Sequence, residues 1–399
     1  MSIKTSPAII LKTLPSPVPS RSSPPAHHVG KPPTSFQNPW PSFHKQSALS
    51  ALQTRFARNR NFVPVPDRSE LVQIRTPDWG SNKAGLKATW IGHASFLVET
   101  TCASGAQRGV RTLFDPVFSD RTSPVSFLGP KRYTPTPCKL DDVPDVDLVV
   151  ISHNHYDHLD ADTIRKLHSR RRGKIHFFCA LGNAAWFHSI GIAEEEVTQL
   201  DWWDGVRVEV AGAGTVNLIC TPSQHFSGRG LRDQGSTLWC SWVLEEVLTE
   251  PVVTEGTLIQ EVSPPRTRKL YFAGDTAYRG LPDPPPDDES SLPTCPAFAE
   301  IGETYGPFDL ALLPIGLYSP RSFMSSVHCA PEDSVCIHKD IRSKRSIGMH
   351  WGTVRGGISA QYEDVREPPR RWKEACKTEG LIWGTEAGLC DIGETVVVA

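Results

Sequence analysis

Short apolar runs separated by turn residues dominate this chain from residue 87 onward. Residues 87–99, KATWIGHASFLVE, form a strand-like run. Runs of four to eight apolar residues bounded by turn residues are typical of buried strands. The further strands predicted on this basis are residues 146–151, 174–179, 216–220, 237–244, 269–273, 310–314 and 346–350.

Helical patterns lie between several of these runs, at residues 161–171, 182–190 and 331–339. The last begins with Pro331, which needs no backbone donor in a first helical turn, and continues with two carboxylates that suit the positive end of the helix dipole. Alternation of strands and helices favours mixed sheets covered by helices. Two segments are predicted to be surface insertions: residues 245–268, which carry several glutamates, and residues 279–296, with PDPPPDDESSLP at their centre.

The N-terminal region has a different composition. Its first 66 residues contain no Asp or Glu, and their first half is rich in Pro and Ser. Such a composition favours extended, unpacked chain. We therefore predict a disordered basic tail over residues 1–35 and one folded domain over residues 36–399. A mitochondrial presequence is the alternative interpretation, although its amphipathic helix would tolerate few prolines.

The overall composition excludes several classes of protein. The 399 residues are 39% hydrophobic and 22% charged, which is typical of a globular protein in water, and no apolar run reaches the roughly 18 residues of a membrane span. A net charge of -2 provides no global field for nucleic acid. The ten cysteines form no C-x-x-C pair, so neither a disulfide scaffold nor a zinc ribbon is expected. These features predict an intracellular protein without a nucleic-acid partner.

The strongest candidate site is the hexapeptide HNHYDH, residues 153–158, directly after the apolar run VDLVVIS. It places three imidazoles and one carboxylate in six residues. Imidazole nitrogen and carboxylate oxygen are the ligands that zinc and its neighbours prefer. The end of a buried strand is also where the sites of α/β proteins lie.

Three later strands also end in a possible ligand: His225 after VNLICTPSQ, Asp275 after KLYFAG, and His350 after RSIGM. Each one alone is more often an ordinary loop or core residue, but their recurrence favours a common site. The candidate metal ligands are His153, His155, Asp157, His158, His225, Asp275 and His350. This set is large enough for two metal ions that share a carboxylate, whereas a structural zinc needs only four ligands.

These residues resemble the metallo-β-lactamase superfamily, an α+β fold in which an αββα sandwich carries a di-metal site at the edge of its sheets. The chain is more closely similar to the branch of phospholipases D that hydrolyse N-acyl-phosphatidylethanolamine, over roughly residues 35–369. The matching segments are FQNPWPSF at 36, TWIGHASFLVE at 89, DPVFSDRTSP at 115, ISHNHYDHLD at 151, LDWWDG at 200, TPSQHFSGR at 221, FAGDTAY at 272, CPAFAEIGETYGPFDLALLPIG at 295, HCAPEDSV at 328 and MHWGT at 349.

The resemblance implies two Zn²⁺ ions per chain, with iron or manganese as alternatives. It places one ion on His153, His155 and His225, the other on Asp157, His158 and His350, and Asp275 between them. It further implies hydrolysis of a phospholipid to N-acylethanolamine and phosphatidic acid by a hydroxide that bridges the metals and is oriented by Asp157.

Two further histidines are placed by the resemblance. His328 matches a family histidine on the substrate side and is the second candidate catalytic residue, with a loop histidine beside the Pro331 helix as the alternative. His93 is interpreted as structural or as support for a ligand. The remaining histidines, interpreted as structural, include His27, His28, His44, His168, His176, His188 and His338.

Two departures from the family pattern leave the substrate open. Segment 279–296 separates GDTAY from CPAF, and Val327 and Ala330 are apolar where the family often has polar groups. The alternative is therefore a di-metal hydrolase of another ester, such as a lactone or a soluble phosphodiester. A noncatalytic binding protein would have lost ligands, and none is missing.

The expected partners follow from the same analysis. A phospholipid substrate needs an apolar groove, for which the candidate aromatic residues are Trp202, Trp203, Phe226, Phe323 and Trp351. The basic tail and the run Arg170-Arg171-Arg172 predict peripheral contact with an anionic membrane. The run is also the best support for nucleic-acid processing, although basic residues at a helix end are more typical of a solvated cap. The resemblance implies a homodimer as well.

Overall fold

The structure is a computed structural model that describes residues 8–17, 25–125, 127–230, 232–248, 267–282, 286 and 288–399. The strands are β1 (Ile9–Leu14), β2 (His28–Val29), β3 (Ser35–Phe36), β4 (Leu86–Gly92), β5 (Ser95–Glu99), β6 (Arg111–Phe114), β7 (Leu148–Val150), β8 (His176–Ala180), β9 (Val197–Leu200), β10 (Gly205–Val210), β11 (Gly214–Thr221), β12 (Ser241–Val247), β13 (Lys269–Phe272), β14 (Leu310–Pro314), β15 (Ser346–Met349), β16 (Ala387–Gly388) and β17 (Thr395–Val398). The helices are α1 (Ala48–Phe56), α2 (Ala161–Arg171), α3 (Ala184–Ser189), α4 (Ala297–Thr304), α5 (Arg321–Met324), α6 (Pro331–Asp340) and α7 (Glu367–Thr378).

Most of the strands form two large sheets. One has the order β1-β10-β11-β12-β13-β14-β15-β16 and the other β17-β4-β5-β6-β7-β8-β9. Each sheet is antiparallel at one side and parallel at the other, from β13 to β16 in the first and from β6 to β9 in the second. Parallel strands bring their carboxyl ends to one edge. The loops that follow β6, β7, β13 and β15 are therefore candidates to meet.

The two sheets pack face to face around the main hydrophobic core. Phe114 of β6 stacks on Phe272 of β13 with ring centroids 4.8 Å apart. A second cluster, which includes Ile164 of α2 and Phe187 of α3, covers the outer face of the β4–β9 sheet. Helices α4 and α6 contact each other, and α6 contacts β14 on the other sheet. The predicted α+β architecture, two sheets between helices, is confirmed.

Local sequence patterns predicted the bounds of two helices accurately. Helix α2 has the predicted bounds, and α6 ends one residue beyond them. The run predicted as one strand over residues 87–99 is instead the hairpin β4–β5. The chain reverses at Gly92 and His93, whose φ angles are 108° and 54°. Apolar periodicity does not report such a reversal, because both strands are buried along their whole length.

The prediction of a disordered tail over residues 1–35 is wrong for residues 9–14. These form β1, which pairs antiparallel with β10 over its full length, from Ile9 opposite Val210 to Leu14 opposite Gly205. The short strands β2 and β3 form a second pair. Without β1, strand β10 would expose unpaired backbone groups at the edge of the sheet. Residues 9–14 pair with these groups and gain order from a partner far along the chain. Residues 1–7 and 18–24 lie outside the described residues.

The two predicted insertions differ in how much of them is described. Residues 249–266 of the first lie outside the described residues, as do 283–285 and 287 of the second. The ends of the second are packed against the body: Leu281 and Cys295 are buried, and Arg279 lies 3.0 Å from Asp333 of α6. Segment 279–296 is therefore anchored at both ends. Within the described ranges, none of the helices combines the length and apolarity needed to cross a membrane.

Candidate metal centre

Ionisable side chains from both sheets meet at one edge of the sandwich, each in a loop that follows a strand. The hexapeptide follows β7, and His225, Asp275 and His350 come after β11, β13 and β15. All the candidate ligands are buried. Atoms within 4.8 Å of one another define two adjoining groups: His153, His155, His225 and Asp275 in one, and His93, Asp157, His158 and His350 in the other.

The first group is built around His155. Its Nδ1 lies 2.8 Å from Nε2 of His153 and 3.2 Å from Nε2 of His225. Oδ2 of Asp275 is 3.8 Å from the His153 nitrogen and 3.7 Å from the His225 nitrogen. Three nitrogens and one carboxylate oxygen thus surround a common point.

The second group is linked to the first by Asp275. Nε2 of His158 lies 3.3 Å from Nε2 of His350. Oδ2 of Asp275 is 3.2 Å from the His158 nitrogen, and its Oδ1 is 2.8 Å from the His350 nitrogen. Asp157 completes the group, with Oδ2 3.0 Å from Nε2 of His93. The carboxylate of Asp275 therefore faces both groups.

The outer nitrogens of these histidines show which tautomer each ring adopts. Nε2 of His155 donates to the carbonyl of Gly228 (3.1 Å), and Nδ1 of His225 donates to the carbonyl of Val327 (2.7 Å). A carbonyl only accepts, so each of these outer nitrogens carries the proton. The inner nitrogens of the two rings therefore present lone pairs toward the centre.

Two more rings have the same arrangement. Nδ1 of His158 donates to Asp115 (2.7 Å). The Ser152 hydroxyl donates to Asp115 (2.6 Å), which leaves it free to accept from Nδ1 of His153 (2.9 Å). The inner Nε2 of His153 consequently carries no proton. Burial opposes protonation of His158, but the facing carboxylates of Asp275 and Asp115 raise its pKa well above the ordinary value, so a metal ion at His158 would displace the proton of Nε2.

The residues present fit a metal ion. Lone pairs on the inner nitrogens of His153 and His155 face each other at 2.8 Å with no proton between them, which is repulsive unless a cation lies there. Bonds of about 2.0–2.1 Å to zinc would hold tetrahedral nitrogen ligands about 3.3 Å apart. The distances within the groups lie on both sides of that value, from 2.8 Å between His153 and His155 to 3.8 Å between His153 and Asp275.

The protonation states of the first group agree with this fit. Burial lowers the pKa of His153 and of His155 well below the ordinary value for histidine, and that of His225 to about 4. These rings are neutral, as metal ligation requires. Burial opposes ionisation of Asp275, but the facing His158 and His350 hold its pKa well below the ordinary value. The carboxylate is therefore ionised.

Unusual backbone conformations aim several of these side chains. His93, Asp115 and His350 have φ angles of 54°, 39° and 62°, in the left-handed region that costs about 1–3 kcal/mol per non-glycine residue. Gly274, just before Asp275, has φ of 59°, and a Cβ there would lie 2.6 Å from Cβ of Ser152. Glycine is thus required for the β13 loop to pack over the β7 loop.

The structure also places His328 at this edge. Its ring stacks on that of His350 with centroids 5.5 Å apart, and its Nδ1 lies 4.0 Å from Oδ2 of Asp275. That nitrogen is buried and has no hydrogen-bond partner among the described residues. Burial lowers the pKa of His328 well below its ordinary value, so the ring is neutral.

Sequence reasoning missed two residues of the site. Asp115 accepts a hydrogen bond from the outer nitrogen of His158. Its position directly after β6, like that of the candidate ligands after their strands, is a signal that the sequence contains. Arg229 places Nη2 3.3 Å from Oδ1 of Asp157 and stays partly exposed. Of the predicted groove aromatics, Phe226 packs on His155 with centroids 4.7 Å apart. Trp202 and Trp351 belong to the core.

Comparison with known proteins gives a consistent picture. A family model described as beta-lactamase superfamily domain matches residues 110–351. The N-acyl-phosphatidylethanolamine-hydrolyzing phospholipase D 1 of Caenorhabditis elegans is 37% identical over 333 residues, which cover 83% of this chain and 81% of that protein. The mitochondrial N-acyl-phosphatidylethanolamine-hydrolyzing phospholipase D of Saccharomyces cerevisiae is 28% identical over 368 residues, covering 82% and 68%. An isothiocyanate hydrolase from Delia radicum gut bacteria shares the fold, with a TM-score of 0.50 at 16% identity over 78% of this chain and 99% of that one.

Proposed function

This chain belongs to the beta-lactamase superfamily, in the branch of its N-acyl-phosphatidylethanolamine-hydrolyzing relatives, and we propose that it hydrolyses that lipid to N-acylethanolamine and phosphatidic acid. It is a hydrolase of the metallo-β-lactamase fold. One observation carries the proposal: unprotonated ring nitrogens converge beside a shared carboxylate. The activity named for the two relatives supports the choice of substrate.

Two divalent cations would be held by the two groups of residues. The first group offers three imidazoles, and the second offers Asp157, His158 and His350. Asp275 lies between the groups and would bind both ions. We propose zinc, because imidazole nitrogen with carboxylate oxygen is its usual donor set, with iron and manganese as the alternatives that metal analysis distinguishes. Such a pair lowers the pKa of water and neutralises charge on a phosphodiester.

The surrounding side chains of this chain have separate tasks in the proposal. His93 donates to Oδ2 of Asp157 and so fixes the orientation of that carboxylate, which then orients the attacking water. Arg229 offers a guanidinium beside Asp157, where it would bind the anionic phosphate. His328 has its unpartnered Nδ1 close to Asp275, in a position to hydrogen-bond the leaving oxygen.

Membrane contact, oligomeric state, targeting and domain organisation stay predictions. A phospholipid substrate implies peripheral contact with a membrane, and the family resemblance implies a homodimer. The Saccharomyces cerevisiae relative is named as mitochondrial, but targeting of this chain by its basic N-terminus is a separate prediction. The assignment of residues 36–399 to one domain is also untested.

Product analysis by mass spectrometry tests the function. The purified protein would be incubated with N-acyl-phosphatidylethanolamine in mixed micelles, beside Asp275→Asn, a chelated sample and the control His188→Ala, which removes an exposed histidine of α3. We expect both lipid products from the wild type and the control and their loss in the other two samples. Absence of both products from protein that holds two metals per chain would refute the lipid assignment. Turnover of a lactone or of bis(p-nitrophenyl) phosphate by the same sample would then identify the alternative ester.

A further inference from the structure

A second cluster of potential metal ligands joins the N-terminal segment to Asp201, which directly follows β9, apart from the catalytic edge. Nε2 of His27 is 2.7 Å from Oδ1 of Asp201, and Nε2 of His28 is 2.7 Å from Oδ2 of the same carboxylate. The three ligand atoms lie within 4.8 Å of one another. We infer that this triad is a third metal site, which takes Zn²⁺ or another borderline divalent cation.

The geometry of His28 favours a metal site over a triad held by hydrogen bonds alone. The contact of His27 with Asp201 has the geometry of a hydrogen bond. Nε2 of His28 is equally close to the carboxylate, yet it is buried and makes no hydrogen bond among the described residues. The lone pair of this nitrogen is therefore available to a cation, which would also bind the carboxylate of Asp201 and, after displacing the proton that His27 donates to that carboxylate, Nε2 of His27. Two imidazoles and one carboxylate are a common donor set for zinc and iron.

The triad is held rigidly by its surroundings. The ring of His27 stacks on Trp202 at 4.2 Å, and Trp202 stacks on Trp40 at 5.3 Å. Oδ1 of Asp201 also accepts from the backbone N–H of Trp202 at 2.8 Å. The side chains of His27, His28 and Asp201 are 9%, 11% and 19% exposed, so the cluster is largely shielded from solvent but not sealed from it. Support of this kind orients ligands before the metal binds.

A metal here would fasten the N-terminal segment to the body of the protein beside the catalytic edge. The segment continues from β3 to Asn38, whose Nδ2 donates to the backbone carbonyl of His225 at 2.7 Å. Further on, the hydroxyl of Ser42 donates to Oε1 of Gln224 at 2.6 Å. Binding at the triad is therefore expected to stabilise residues 25–44 and, through them, the backbone that presents His225.

Metal counting on the full-length, tag-free protein tests the inference. Samples would be equilibrated with excess Zn²⁺ and then with Co²⁺, desalted, and analysed by elemental mass spectrometry and by visible absorption of the cobalt. The variants are His28→Ala and Asp201→Asn, and the control is His188→Ala, an exposed histidine on α3. We expect the wild type and the control to hold one more ion per chain than either variant, with the same number at the catalytic edge in all four.

Amide hydrogen exchange gives a second readout that does not depend on the variants. With free Zn²⁺ at ten times the dissociation constant of the site, opening of residues 25–44 in the wild type is expected to become about tenfold rarer. Equal metal counts in the wild type and a folded variant would overturn the inference, leaving a hydrogen-bonded triad. If neither variant folds, exchange in residues 25–44 of the wild type that does not change with Zn²⁺ overturns it. Because product formation at the catalytic edge is measured in a separate assay, failure here is distinguishable from failure of the proposed function.

Discussion

Replacing Asp115 with asparagine tests whether one carboxylate sets the tautomer of a metal-binding histidine. Oδ1 of Asp115 accepts from the backbone N–H of Ser152 (2.7 Å), and Oδ2 accepts from the Ser152 hydroxyl (2.6 Å) and from Nδ1 of His158 (2.7 Å). Asparagine keeps this shape but has one oxygen. That oxygen must face the backbone N–H, because the Ser152 hydroxyl can rotate and accept instead.

The amide nitrogen of the asparagine would then face Nδ1 of His158 and donate to it. A neutral His158 must then carry its proton on Nε2, so it has no lone pair to offer a metal ion beside Asp275 and His350. Loss of a supporting partner usually weakens metal affinity about 10- to 100-fold, or about 1.4–2.7 kcal/mol. Because this substitution also inverts the tautomer, we expect the larger value for the ion held by His158. The ion on His155 and His225 should stay, since backbone carbonyls orient those rings.

The assay is the metal content at buffered free zinc, measured together with the thermal unfolding of chelated samples. Asp160→Asn is the matched control, because Asp160 is a buried carboxylate that caps α2 and binds Ser119 and Thr163. We expect Asp115→Asn to lose one ion while its chelated form unfolds near the temperature of the control. Retention of both ions at the affinity of the wild type would refute the reasoning about the tautomer. An equal loss in the control would show a general effect of destabilisation.

Three further predictions concern pH, substrate charge and the core. Burial raises the pKa of Glu363 from 4.5 to about 7, so the stability contributed by its protonated form is lost as the pH rises through that range. Between pH 5 and pH 8, the free energy of unfolding in urea should fall by about 2–3 kcal/mol more for the wild type than for Glu363→Gln. The same pH dependence in both proteins would contradict this prediction. Arg229→Ala should lower kcat/KM for an anionic phosphodiester about 10- to 100-fold and for a neutral lactone much less. Arg232→Ala is the control. An equal loss of kcat/KM on both substrates would exclude phosphate binding by Arg229. Trp372→Ala, in a fully buried position, should lower the free energy of unfolding in urea by about 3–5 kcal/mol, whereas a cost below 1 kcal/mol would mean that the site is poorly packed.

Elements defined by local pattern were predicted most accurately. The bounds of α2 follow from its helical spacing together with Asp160, which caps it, and the start of α6 follows from Pro331 at its first position. The strands that end in candidate ligands were recognised because buried apolar runs stand out against turn residues. Edge and hairpin features were predicted poorly. Strand β10 alternates between buried and partly exposed residues, so it contains no continuous apolar run from which a strand is predicted.

The sequence by itself determined the family and the candidate ligands. An apolar run followed by a ligand-type side chain is a local signal, and four such signals with the motifs beside them were enough to identify the family and the candidate ligands. Asp115, which directly follows β6, obeys the same rule. These features are readable because each depends only on residues that are neighbours along the chain.

Tertiary structure decided everything that depends on distant partners. Ile9 gains its order from Val210, and His27 meets Asp201 across 174 positions, so composition alone suggested disorder for the first and an ordinary role for the second. The tautomers of His155 and His225 are set by carbonyls of Gly228 and Val327. Periodicity and composition report whether a residue is buried, but not which group it faces. The direction in which each ring nitrogen points, which makes these histidines candidate metal ligands, is decided by tertiary structure.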